Sequence, residues 1–144
     1  MLYLQLHFIE QNHNIMIKRL FSTLVCGLVL GITTVAAQAV ITFKHTEHNF
    51  GKFKESKEQT FTFKFKNTGD KPLVIEQAVA SCGCTIPTYT QAPIAPGKSG
   101  EIKVVYNGKG KSAGEFKKVI TVRSNASNEL VRLYIMGDME AANP

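Results

Sequence analysis

Tryptophan is absent from this chain, cysteine occurs three times, and no stretch repeats its apolar residues at helical spacing. Without Trp, and without a widely spaced cysteine pair, a sandwich pinned by an inter-sheet disulfide over a buried indole is excluded. Charged residues make up 19% of the chain against 44% hydrophobic, the balance of a globular rather than a disordered protein. The net charge of +6 is carried by lysines that stand singly and never form a basic run with interleaved aromatics, so nucleic acid is not an expected partner. No nucleophile elbow surrounds any serine, and the glutamates from Glu47 to Glu129 are scattered without a pairing suited to acid and base work. Gly108-Lys109-Gly110-Lys111-Ser112 lacks the full phosphate-loop pattern and reads as a hairpin turn.

Near the N-terminus the order of residues is that of an export signal. Met16-Ile17-Lys18-Arg19 leads into an apolar stretch from Leu20 to Val35, followed by the small residues Ala36-Ala37-Gln38-Ala39, with cleavage expected after Ala37 or Ala39. The apolar stretch contains Ser22, Thr23, Gly27, Gly31, Thr33 and Thr34. It falls short of the ~20 strongly apolar residues of a spanning helix, so no stable membrane span is expected after cleavage. Residues 1–15 precede the basic pair and do not belong in a signal, so translation is expected to start at Met16. Cys26 follows Val25 and lies inside the apolar stretch, which makes it a discarded signal residue rather than a lipidation site. The expected division is thus an upstream extension at 1–15, a signal at 16–39 and an exported domain, periplasmic or extracellular, at 40–144.

From Val40 onward the pattern has period two. Ile41 and Phe43 alternate with Thr42 and Lys44; Phe61, Phe63 and Phe65 with Thr62, Lys64 and Lys66; Ile102, Val104 and Tyr106 with Lys103 and Val105. Phe116, Ile120 and Val122 share one parity, and Val131, Leu133 and Ile135 alternate with Arg132 and Tyr134. Half-buried strands give this signature, because successive side chains leave a strand on opposite sides. Leu73-Val74-Ile75 lacks alternation and is expected to be a central strand covered on both faces. Turn formers separate the runs at Asn67–Pro72, Ala95–Gly100, Asn107–Gly110 and Ser124–Asn128. The expectation is an all-β, immunoglobulin-like antiparallel β-sandwich of about seven strands, with a small β-barrel as the alternative.

Several ordered motifs now carry a resemblance. His48-Asn49-Phe50-Gly51-Lys52, Thr60 to Gly69, Pro72-Leu73-Val74-Ile75, Ser81-Cys82-Gly83-Cys84-Thr85, Pro93 to Gly97 and Val122-Arg123-Ser124-Asn125-Ala126 resemble the secreted bacterial family catalogued as domain of unknown function fifteen seventy-three. The resemblance spans Phe43 to about Gly137 and departs at Asn49, where an aspartate is frequent. It implies an immunoglobulin-like sandwich of the Hydin and major-sperm-protein type. It implies no agreed activity.

The two cysteines of the exported domain, Cys82 and Cys84, therefore carry the remaining functional reading. On a regular strand their Cα atoms would lie about 6.6 Å apart, near the upper end of the disulfide range, with both side chains on one face. Gly83 lets the backbone bend, and Ser81 and Thr85 suggest that the strand ends here in a turn. A bridge would close a very small loop and would be more easily reduced than a structural disulfide. Three roles stay open: a local disulfide without chemistry, a redox-active dithiol, and a soft-metal site for Cu or Zn. Two thiolates are too few for a closed zinc site, and His45 and His48 are the histidines that could complete it. No catalytic residue is assigned and no cofactor is required. The favoured function is a non-enzymatic binding or assembly module acting on an unidentified protein or cell-envelope partner through exposed strand edges or the Pro-rich loop Tyr89 to Pro96. The alternative is a thiol-redox or metal-handling protein.

Overall fold

The run of phenylalanines at 61, 63 and 65 becomes the centre of one sheet, as its alternation requires. In a computed structural model describing residues 36–141, Phe63 and Phe65 turn inward at 1% and 2% exposure while Thr60, Lys64 and Lys66 face solvent. Eight strands follow in order: β1 (Ile41–Phe43), β2 (Glu47–Lys54), β3 (Gln59–Asn67), β4 (Ile75–Ala80), β5 (Thr85–Tyr89), β6 (Ser99–Tyr106), β7 (Gly114–Ser124) and β8 (Leu130–Glu140). They form two four-stranded sheets, ordered β1-β3-β6-β5 and β2-β8-β7-β4. The expectations for the extension at 1–15, the signal core and Cys26 lie outside the described residues.

Phe63, Ile102 and Val104 of the first sheet face Ile120, Val122, Leu133, Ile135 and Met139 of the second. Burying a side chain of this size contributes roughly 1.5–3 kcal/mol, so the alternating residues supply most of the driving force. A ring cluster closes one side of this core: Tyr106 stacks on Phe116 at 4.2 Å, and Phe53 meets both edge-on.

The immunoglobulin-like sandwich stands, with eight strands among the described residues against the expected about seven, and with three details to correct. One pairing, β2 with β8, is parallel. Leu73-Val74-Ile75 is no central strand: Ile75 opens β4 at the edge of its sheet, and Leu73 exchanges backbone hydrogen bonds with Ile94 at 2.9 and 2.8 Å. Its burial comes from a loop folded over it, not from a second sheet face. Finally, Asn107 to Lys111 turns the chain tightly, with the Lys111 N–H on the Gly108 carbonyl, but it joins β6 to β7 across the two sheets and is not a hairpin.

Candidate functional site

The chain changes sheets at the two cysteines. β4 is the edge of one sheet and β5 the edge of the other, and residues 81–84 turn between them. Cys82 and Cys84 are joined in a disulfide with Cα atoms 5.2 Å apart, closer than an extended strand allows, because the segment is a turn. One bond within the turn and two to neighbouring strands hold the corner. The Thr85 N–H donates to the Cys82 carbonyl at 3.2 Å, the Asn107 N–H to the Cys84 carbonyl at 2.9 Å, and the Ser81 N–H to the Val119 carbonyl at 2.9 Å. Cys84 is buried and Cys82 half-buried, while Gly83 is exposed at the tip. The Thr85 hydroxyl lies 3.5 Å from the Cys82 sulfur and 3.8 Å from that of Cys84.

The histidines are placed differently. His48, on β2, stacks on Phe61 with ring centroids 3.6 Å apart and meets Phe50 edge-on. Burial among these rings holds its imidazole below the usual histidine range. His45 is exposed in the turn before β2. Among the described residues no group of three or more His, Cys, Asp or Glu is placed to hold a metal ion, so Cys82, Cys84, His45 and His48 are not brought together as one donor set.

Most of the other motifs have structural work. Asn67 is fully buried, and its side-chain NH2 donates to the carbonyls of Lys71 and Ile94 at 2.7 and 2.9 Å. Its side-chain oxygen accepts from the N–H groups of Gly69 at 3.0 Å and Val40 at 3.4 Å. Asn125 accepts from the Val74 N–H at 2.8 Å and donates to the Pro72 carbonyl at 3.1 Å. Its amide is a clasp between the segment before β4 and the loop before β8. The side chain of Asn128 likewise bonds both backbone groups of Ile41, at 3.2 and 2.8 Å. Sequence reasoning saw turn formers in all three; it missed that they tie distant loops together, because no spacing rule links residues so far apart.

The four sheet edges are unequal, and pairing geometry shows how. In an antiparallel pair, alternate residues point both backbone groups at the partner strand and the others point both away. On β5 the bonds from Asn107 to Cys84 and from Thr90 to Glu101 fix the phase, so Thr85, Pro87 and Tyr89 face outward. Pro87 has no N–H and the Thr85 N–H is already used, which blunts this edge. Asn128 covers β1. β2 carries Glu47, Lys52 and Lys54 and is broken by a bulge at Gly51, which adopts a φ of 68°. On β4 the bond from Ser81 to Val119 fixes the phase, so Ala78 and Ala80 point their N–H and C=O groups away from β7. β4 is irregular between Ile75 and Gln77, and the Tyr89 hydroxyl caps the Glu76 carbonyl at 3.2 Å. From Gln77 to Ala80 it is regular, free of proline and lysine, with Val79 47% exposed beside it. The Pro-rich loop is tied down by the Leu73–Ile94 bridge.

The model of a family described as a protein of unknown function, DUF1573, matches residues 41–139. No curated protein matches the chain. Among solved structures, a protein of unknown function from Porphyromonas gingivalis W83 is similar with a TM-score of 0.62 at 15% identity, over 76% of this chain and 50% of that one. The chain thus spans half the length of that relative. The PapD-like domain 7 of human CEP192 is similar with a TM-score of 0.60 at 7% identity, over 79% of this chain and 94% of that one. The periplasmic chaperone SfaE is similar with a TM-score of 0.54 at 12% identity, over 73% of this chain and 61% of that one. At these identities the likeness is one of fold: a PapD-like, immunoglobulin-type sandwich.

Proposed function

The chain belongs to the DUF1573 family, and from that premise we propose that it is an exported, non-enzymatic binding or assembly module that takes an extended segment of a cell-envelope protein along β4. The carrying observation is the contrast among edges. Three are blunted by a proline, an asparagine clasp or a charged bulge, whereas the Ala78 and Ala80 backbone groups of β4 face outward. Backbone donors and acceptors at a two-residue repeat are recognised by another strand, and Val79 and Gln77 would meet its side chains. Small side chains at Ala78 and Ala80 keep the approach open. Export is supported by the Lys18-Arg19, apolar and Ala36–Ala39 pattern and by the pairing of both domain cysteines, which suits an oxidising compartment. Among the described residues no helix is long and apolar enough to cross a membrane.

Proline at position 78 tests the reading cleanly, because the Ala78 N–H takes no part in the ladder with β7. Envelope proteins cross-linked to the wild-type domain are expected to be lost with Ala78→Pro and kept with Cys82→Ser/Cys84→Ser. Equal capture by wild type and Ala78→Pro would sink the edge as the binding surface.

A second reading rests on the accessibility of Cys82. A thiolate from a partner protein attacking its sulfur would break the Cys82–Cys84 bond, form a mixed disulfide and release the Cys84 thiolate. In that case the double serine variant, rather than Ala78→Pro, loses activity.

A further inference from the structure

We infer that the mature chain begins at Gln38, freed by hydrolysis of the Ala37–Gln38 peptide bond. The inference rests on the export reading above. Two bonds are candidates for signal removal: one after Ala39, where Ala37-Gln38-Ala39 is the small-x-small pattern itself, and one after Ala37, where Val35 stands in the first of the two positions. The peptidase meets an unfolded chain, so the fold does not steer it. What the fold does show is which residues the finished domain uses.

It uses Gln38 and Ala39. The Gln38 carbonyl accepts the Asp70 N–H at 2.9 Å, and the Ala39 carbonyl accepts the Ser127 N–H at 2.9 Å. Ala39 is 3% exposed and belongs to the core. The next carbonyl, of Val40, accepts the Thr68 N–H at 2.9 Å. Residues 38–40 therefore form an extended lead-in to β1 that bonds to the loop after β3 and to the loop before β8. Gly69 is shaped for it, since a Cβ at that position would lie 2.6 Å from the Val40 nitrogen and 2.8 Å from the Ala39 carbonyl carbon. That close approach accounts for glycine in the Asn67-Thr68-Gly69 motif; the Val40 nitrogen alone would require it, and the Gln38 carbonyl oxygen and the Ala39 carbonyl carbon, which a start at Val40 would remove, press on the same space.

The two cuts differ in what they remove. Scission after Ala39 deletes both acceptors, empties the space Ala39 fills and places an ammonium at Val40, whose nitrogen otherwise faces the Asn67 side-chain oxygen at 3.4 Å. Scission after Ala37 removes Ala36 and Ala37, both exposed, and leaves the new ammonium on Gln38, also exposed. Water adds across the bond, giving a carboxylate on Ala37 and an amine on Gln38. That amine can then attack its own side-chain amide carbon, forming a ring and releasing ammonia.

The test is intact mass and N-terminal peptide mapping of the full chain expressed with its own leader in an exporting host, after fractionation. Exported protein beginning at Gln38, open or cyclised, is the expected result. Exported protein beginning at Val40 overturns the site and leaves export standing, whereas uncleaved chain in the cytoplasm overturns export and the site with it. In parallel, domains beginning at Gln38 and at Val40 are released from a cleavable tag. The shorter one is expected to melt lower by about 5 °C or more, or to fail to fold; equal melting would overturn the claim that the fold needs residues 38 and 39.

Discussion

The loops gathered around Asn67 and the corner at Cys82 are built from equally distinctive sequence, yet they use it in opposite ways. Around Asn67 the polar groups are spent on the protein itself: one buried amide serves four backbone groups in three segments, and Asn125 and Asn128 repeat the device nearby. At the cysteine corner only the Thr85-to-Cys82 bond lies within the turn, backbone bonds to Asn107 and Val119 anchor its two ends to the sheets, the Gly83 tip is exposed, and the strand leading into it points the Ala78 and Ala80 backbone groups outward. A residue with many internal partners is explained by folding. The corner and the β4 edge are the places where the motifs are not used up that way, which is why function is sought there.

That contrast can be broken in order of effect. Asn67→Ala would strand the Lys71 carbonyl and the Gly69 and Val40 N–H groups and take one of two donors from the Ile94 carbonyl, and is expected to cost about 3–4 kcal/mol in urea unfolding; a loss under about 1 kcal/mol would mean that the clasp is not structural. Asn125→Ala leaves one donor and one acceptor at a more exposed site and should cost about 1–2 kcal/mol by the same assay. Cys82→Ser/Cys84→Ser opens a loop of only three residues, so the chain-entropy estimate is about 1.5 kcal/mol at most. Circular dichroism should show the β-fold intact, and a collapse of the domain would move the corner into the structural class.

The smallest effect is at His48. Its folded-state pKa lies below the unfolded one, so its contribution to stability is fully present above the ordinary histidine range and is lost as pH falls through it. Between about pH 7.5 and about pH 5 the wild type should therefore lose more melting temperature than His48→Phe, which keeps a ring on Phe61 without the titration. Parallel pH profiles would show that the imidazole does not titrate against the fold.

Much of the sandwich was legible in the chain because period-two burial is a local property. Phe63, Phe65, Ile102, Val104, Ile120, Leu133 and Ile135 all turn inward as their parity requires. Failure began where burial has a non-local cause. Leu73 looked like a strand buried on two faces, but it is covered by Ile94, and no alternation reports a loop folded back. β2 was unreadable as a strand since Glu47–Lys54 carries mostly polar residues and pairs with the far end of the chain. Cys82 and Cys84 are bridged across a turn, the alternative to a shared strand face that Ser81, Gly83 and Thr85 had offered. The outward phase of Pro87 depends on strand register, which one sequence does not reveal.

The parallel pairing of β2 with β8 also sets an order of assembly. Ile41 and Asn128, which clasp the same end of the chain to the same distant loop, are 87 residues apart, and His48 waits for Ile135 in the same way. A chain delivered N-terminus first therefore cannot seat β2 until nearly all of it has arrived, whereas β1 can already pair with β3. Closing so long a loop is slow. Any truncation that removes β8 should consequently leave β2 with no strand to join.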